Sequence, residues 1–237
     1  MPPHPRRIAI LECGLPPAAL RGGYPSYPQM FRNLLAPFGD GFDARTVSVV
    51  NGELPGDPQE FDAVLLTGSR YGVHDDLPWL EPVKGFIRAA MEGGRPVVGV
   101  CFGHQIMAEA LGGRVERSER GWGLGLHGYR LGLGGEERTI RMPAFHQDQV
   151  VTLPPGATVV ASSDFCPYAG LRYGRLGLSF QFHPEFSDVY LADLIRDRAP
   201  EVLHGVDLDT VMATIRDDRR DPEVARWMRD TLAGCAD

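Results

Sequence analysis

The 237-residue chain has no stretch approaching the roughly 18 consecutive apolar residues of a membrane-spanning helix, so no helical membrane span is expected. Cysteine is scarce. Cys13, Cys101, Cys166 and Cys235 lie too far apart for a metal knuckle or a C-x-x-C redox pair, and the sparse pattern suits a reducing cytoplasm. Positive charge is in deficit: the formal net charge is −7, which argues against a general nucleic-acid binder, because a phosphate backbone needs a basic face. The opening MPPHPRRIAI has two arginines but no long apolar core and no small-residue cleavage site, so no signal peptide is expected. Repeats, low-complexity segments, a long linker and a P-loop glycine motif are also lacking.

What is present is an alternation of short apolar runs and amphipathic stretches. RIAILEC, FDARTVSVV, FDAVLLTGS and RPVVGVC read as strands. YPQMFRNLLAPFG, LEPVKGFIRAAMEGG and GHQIMAEALGG read as helices, the last two closed by glycine. This β-α-β-α order predicts an α/β fold with a mostly parallel central sheet and helices on both faces. Residues 114–160 differ: glycine-rich, short β-like runs there predict antiparallel hairpins. TVVASS and LGLSFQFHP return to strands, and SDVYLADLIRDRA is helical. DLDTVMATIRDD and DPEVARWMRDTLAGC predict two more helices, the second presenting Val224, Trp227, Met228 and Leu232 on one face for packing.

One short stretch carries the chemistry. In VVGVCFGHQ an apolar strand runs into Cys101, with Gly99 and Gly103 on either side and a helix beginning at once. A sharp strand-to-helix corner exposes its first residue, and flanking glycines permit the bend. The helix N-terminus offers free N–H groups and a positive dipole end, which favour a thiolate and stabilise an oxyanion on an attacked carbonyl. A cysteine nucleophile usually needs a base, and the base a group to orient it. LSFQFHPEF supplies both: His183 near the end of an apolar strand and Glu185 two residues on, which an extended backbone would place on one side. Open α/β sheets carry their sites at that end of the strands.

GVCFGHQ (Gly99 to Gln105) together with FHPE (Phe182 to Glu185) is similar to the class I glutamine amidotransferases, most nearly the amidase domain of GMP synthetase and its free-standing relatives. The resemblance spans about residues 5–195 and implies a flavodoxin-like sheet. It also implies a Cys101–His183–Glu185 triad that releases ammonia from the glutamine side-chain amide through a γ-glutamyl thioester. On the same basis the backbone N–H groups of Phe102 and Gly68 would form the oxyanion hole, with Gly68 and Ser69 in the Thr67-Gly68-Ser69 turn. Gln105 would help to form the substrate pocket. AFHQDQV (Ala144 to Val150) resembles the family's pocket-lining Ser-His-x-Asp-x-Val segment, with Phe145 in place of the serine, and so nominates Phe145 and His146.

The remaining histidines are expected to be uninvolved: His104 packs or faces solvent, and His4, His74, His127 and His204 lack supporting context. Cys13 is expected to pack, and GGYPSYPQMF to form a loop over the cleft. The organisation expected is a catalytic domain over 5–195 and a C-terminal helical extension over 196–237 packed on it. Ligand spacing indicates no metal and no organic cofactor. Three functions stay open: a glutamine-hydrolysing subunit that feeds ammonia to a synthetase partner, a free-standing γ-glutamyl peptidase or amidase, and a non-enzymatic binding protein on the same fold. All three take a small molecule, glutamine or a γ-glutamyl compound, rather than nucleic acid or a membrane.

Overall fold

The computed structural model describes residues 5–39, 41–132, 137–202, 205–215 and 221–235. His4 and His204 lie outside the described residues, as do 133–136 and 216–218 of two of the stretches read above. Four apolar runs form adjacent parallel strands: β1 (Arg6–Leu11), β2 (Phe42–Val47), β3 (Ala63–Leu66) and β4 (Val97–Val100). Their order is β2-β1-β3-β4. The period of two along each strand sends alternate side chains to opposite faces. Ala9, Leu11, Val64, Leu66 and Val97 join one apolar cluster; Ile8, Ile10, Ala63, Leu65, Val98 and Val100 join the other. Burial on both faces is what a parallel sheet between helices requires.

The helices supply the covers. α2 (Leu80–Glu92) and α3 (Phe102–Ala110) contribute Val83, Phe86, Ile87, Ile106 and Met107 to the first cluster. α1 (Tyr27–Leu35) brings Phe31 and Leu35 to the second, beginning at Ser26, whose hydroxyl accepts from Gln29 N–H. The stretch expected as a loop over the cleft therefore becomes helix from Tyr27 onward, because a serine cap and Pro28 in the first turn start α1 there.

The glycine-rich middle is antiparallel, but it is not a separate region. β5 (Arg114–Arg117) and β8 (Asp148–Thr152) pair as a two-stranded ribbon. β6 (Gly123–Leu131), β7 (Arg138–His146), β9 (Ala157–Ser162), β10 (Gly170–Tyr173) and β11 (Gly177–Phe180) extend the main sheet. β11 runs parallel to β4, and β10, β9, β6 and β7 continue antiparallel from it, giving nine strands among the described residues. A hairpin pattern shows pairing within a segment but not which edge receives it.

Three helices follow: α4 (Asp188–Val202), α5 (Leu208–Thr214) and α6 (Pro222–Leu232). α6 starts on Asp221, which accepts from Glu223 N–H at 2.9 Å, and buries Val224, Met228 and Leu232 in the second cluster. Trp227 is only partly buried there, with Arg138 5.8 Å from its ring centroid. α4 runs through position 195 and buries Tyr190, Leu191, Leu194 and Ile195 against α1 and β6.

Candidate active site

β4 ends at Val100 and α3 begins at Phe102, so Cys101 alone makes the corner. Its backbone sits at φ 54°, ψ −105°, the one positive φ at a non-glycine among the described residues. Such a conformation costs roughly 1–3 kcal/mol and is held only by its surroundings. Close packing at both flanking glycines does the holding. A Cβ on Gly99 would lie 2.5 Å from the Gly103 carbonyl carbon and 2.7 Å from Met107 Sδ; one on Gly103 would lie 2.5 Å from Leu66 O. The G-x-C-x-G spacing thus reflects helix-to-strand contact that no side chain allows.

The sheet brings the distant segment to this corner. β11 lies beside β4, with Phe180 opposite Val100, so the chain leaving β11 passes Cys101. His183 Nδ1–H donates to Glu185 Oε1 at 2.7 Å, and both side chains are almost wholly buried. The pair does not lie on an extended strand. Pro184 and Glu185 form a turn, Phe186 N–H reaching His183 O at 3.4 Å, because the fixed φ of proline suits the first corner of a turn. The imidazole lies beside Cys101: both border the same cleft, and both come within 4 Å of a Cβ position on Gly68. With Nδ1 taken by Glu185, Nε2 is the nitrogen left for sulfur. Burial acts to lower His183, but the Glu185 carboxylate and Cys101 outweigh it and hold the imidazole up at about 10.

Gly68 follows β3 and presses on the same pair: a Cβ there would sit 3.1 Å from His183 Cε1 and 3.7 Å from Cys101 Cβ. Ser69 borders the cleft and turns its hydroxyl to Tyr71 N–H at 3.1 Å. The Phe102 side chain instead packs in the core, 5.5 Å from Trp79; only its backbone N–H, at the first turn of α3, remains for the site. Gln105 is buried, and its amide Nε2 donates to Asp148 O at 2.9 Å and to Gln181 Oε1 at 3.1 Å. It ties the corner to the 144–148 segment. Phe145 lines the cleft, and its carbonyl oxygen lies 3.9 Å from Cys101 Sγ. His146 is buried, 3.2 Å from Asp148 O through Nδ1, and burial lowers it to about 3. His104 points away into the interior, hydrogen-bonded to Ser179 Oγ at 2.7 Å and lowered by burial to about 3. Cys13 is buried too, its thiol pushed far up by burial.

The cleft has two lobes meeting at Cys101. The smaller, about 190 Å³, also contains His183 and Gly68. The larger, about 670 Å³, contains Gln105, His146 and Asp148. Several contributors went unnoticed in the sequence. Phe186 stacks on His183, and Arg198 of α4 borders both lobes. Phe186 stands one residue after the H-P-E unit, but its stacking follows from the turn, and nothing in the helical pattern of α4 marks Arg198 as cleft-facing.

Comparison with known proteins bears on the family and the fold. The family model for class I glutamine amidotransferases matches residues 45–191. The chain is 30% identical to γ-glutamyl peptidase 4 of Arabidopsis thaliana, over 73% of this chain and 72% of that protein. It is 33% identical to the glutamine-hydrolysing GMP synthase of Burkholderia vietnamiensis, over 68% of this chain but only 33% of the synthase. The crystal structure of a glutamine amidotransferase from Thermotoga maritima shares the fold, with a TM-score of 0.74 at 20% identity, covering 98% of this chain and 97% of that one.

Proposed function

This chain belongs to the class I glutamine amidotransferase family and is an enzyme of that type; from that premise we propose that it hydrolyses γ-glutamyl amide bonds, the glutamine side-chain amide being the simplest, through a thioester on Cys101. The observation that carries the reading is the buried His183–Glu185 pair, 2.7 Å apart, beside a cysteine in a strained corner of one cavity.

In this reading the Cys101 sulfur attacks the amide carbon, forming a C–S bond and an oxyanion. The backbone N–H groups of Phe102 and Gly68 stabilise that oxyanion. His183, held protonated by Glu185, gives its proton to the amide nitrogen as the C–N bond breaks, and the amine leaves. The neutral imidazole then takes a proton from water, whose oxygen attacks the thioester carbon. The C–S bond breaks, the proton returns through His183 to sulfur, and glutamate is released. Glu185 orients the ring and stabilises its charge without itself taking the proton. The catalytic unit is read as residues 5–195, with 196–237 packed on it as a C-terminal extension.

The test incubates the purified chain with L-glutamine, a γ-glutamyl amide and glutathione beside a Cys101→Ala control, and measures released glutamate. Cys101-dependent release supports the hydrolase; no such release from any of them overturns it. A second reading, in which the ammonia passes to a synthetase partner, is favoured by the match to one third of a GMP synthase. A strong preference for glutamine over every other amide supports that reading.

A further inference from the structure

Among the described residues, three polar side chains border the smaller lobe without reaching the larger: Arg21, Tyr27 and His183. A guanidinium can only donate, so Tyr27 is the one partner of His183 in this set that can accept a hydrogen bond. Tyr27 opens α1 and is buried, with 8% of its surface exposed. Its ring stands 5.9 Å from Phe186 and 6.3 Å from Tyr190. Tyr190 Oη–H donates to Tyr27 Oη at 3.1 Å. A phenol has one hydrogen and two lone pairs. Tyr190 occupies one lone pair; the second, and the hydrogen of Tyr27 itself, have no partner among the described residues. Burial holds the Tyr27 phenol well above its ordinary range, and Tyr190, Glu185 and Cys101 add to the effect. Such charges act at the oxygen, so the hydroxyl end of Tyr27, and not the ring alone, lies on the triad side. It stays a neutral phenol throughout the reaction.

The second half of the reaction has a need at this place. The same imidazole gives its proton to the leaving amine and then takes one from water, so water must stand where the amine stood. His183 borders the smaller lobe and not the larger, which puts that water in the smaller lobe. A water held by Nε2 alone can swing about a single hydrogen bond. Its oxygen stays aimed at the thioester carbon only when a second contact holds it. Arg21 cannot take the water's other hydrogen. Tyr27 Oη, itself held by Tyr190, can.

We propose that Tyr27 is a positioning residue for thioester hydrolysis: its hydroxyl oxygen accepts the second hydrogen of the water that His183 activates, and Tyr190 fixes that hydroxyl. This rests on the hydrolase reading above and deepens it. One water proton passes to His183 Nε2, and the water oxygen bonds to the thioester carbon. The C–S bond breaks, and sulfur takes the proton back from His183. Tyr27 neither gains nor loses a proton. Formation of the thioester does not use the contact, so the two halves of the reaction depend on Tyr27 unequally.

The experiment gives the protein L-glutamine and, in parallel, γ-L-glutamyl methylamide, with and without hydroxylamine. Hydroxylamine competes with water for the thioester and yields γ-glutamyl hydroxamate instead of glutamate. Tyr27→Phe keeps the ring and removes the oxygen. Its ratio of hydroxamate to glutamate is expected to rise about tenfold, the scale of one hydrogen bond in a transition state. The fraction of enzyme carrying the glutamyl adduct, read by intact-protein mass spectrometry after acid quenching, is expected to rise with it. The rate of amine release in the first turnover is expected to change by less than about twofold. Tyr190→Phe is expected to move the product ratio the same way, by about threefold. An unchanged product ratio in Tyr27→Phe, whatever happens to the overall rate, overturns the proposal and leaves the hydrolase standing. So does a first-turnover amine release that slows as much as glutamate release. Where Tyr27→Phe does not fold, an unchanged ratio in Tyr190→Phe overturns it equally. Absence of Cys101-dependent glutamate and hydroxamate from both amides in the unmodified protein, judged against Cys101→Ala, overturns the hydrolase reading itself.

Discussion

The Phe186 ring lies flat on the His183 imidazole, with 3.9 Å between centroids and 6° between planes. Phe186 is itself wedged between Tyr27, 5.9 Å away, and Tyr190, 4.8 Å away. The imidazole is therefore fixed in tilt by a packed aromatic face and in rotation by the Glu185 hydrogen bond. A protonated ring on an aromatic face also gains cation–π attraction. Phe186 is a positioning residue in this arrangement. Phe186→Leu keeps an apolar side chain but loses the flat face, and is expected to lower kcat about tenfold with little change in KM. It also shifts the pH profile of kcat toward lower values, a change that mere loosening of the fold would not produce.

Glu185→Gln tests the ionic half of the same unit. The amide can keep a hydrogen bond to Nδ1 but not the charge that holds the imidazole up. A fall in kcat of about 10²-fold or more is expected. NMR titration of the His183 ring is expected to show its protonation moving down from the region of about 10.

The corner itself trades stability for function. Cys101→Gly removes the Cβ that makes φ 54° unfavourable, and is expected to raise unfolding free energy by about 1 kcal/mol in urea titrations while abolishing activity. Gly103→Ala should do the reverse to stability. Its Cβ would lie 2.5 Å from a β3 carbonyl oxygen, so a loss of roughly 2–4 kcal/mol is expected. Gly94, with φ 73° and nothing within 4 Å of an added Cβ, is the comparison: Ala there costs only the backbone conformation, about 1 kcal/mol.

Stability should fall on both sides of neutral pH, through different histidines. His183 is raised in the folded protein, so its contribution is complete below about 6.5 and is lost as pH rises toward about 10. His104 and His146 are lowered by burial to about 3, so the unfolded chain binds protons that the folded one does not, and stability drops as pH falls from about 6.5. Urea titrations across this range should show a shallower alkaline slope in His183→Gln and a shallower acid slope in His104→Gln.

The sequence by itself determined the parts that local physics controls. Alternating strands and helices announced the parallel half of the sheet, because burial on both faces demands unbroken apolar runs such as RIAIL and VVGV. The G-x-C-x-G corner was legible because a strand can turn that sharply into a helix only where backbones touch. His183 and Glu185 were legible as neighbours, though their pairing comes through a proline turn rather than an extended strand. Tertiary structure alone decided that β11 lies next to β4, and so that His183 reaches Cys101 at all. It decided that the antiparallel strands extend the main sheet, that His104 faces the interior, and that Gln105 is committed to Asp148 and Gln181. It also decided which residues meet in the two lobes. Their walls come from the segments after β1 and β3, from β7 and from α4, and no periodicity within one segment records what another segment, far along the chain, is packed against.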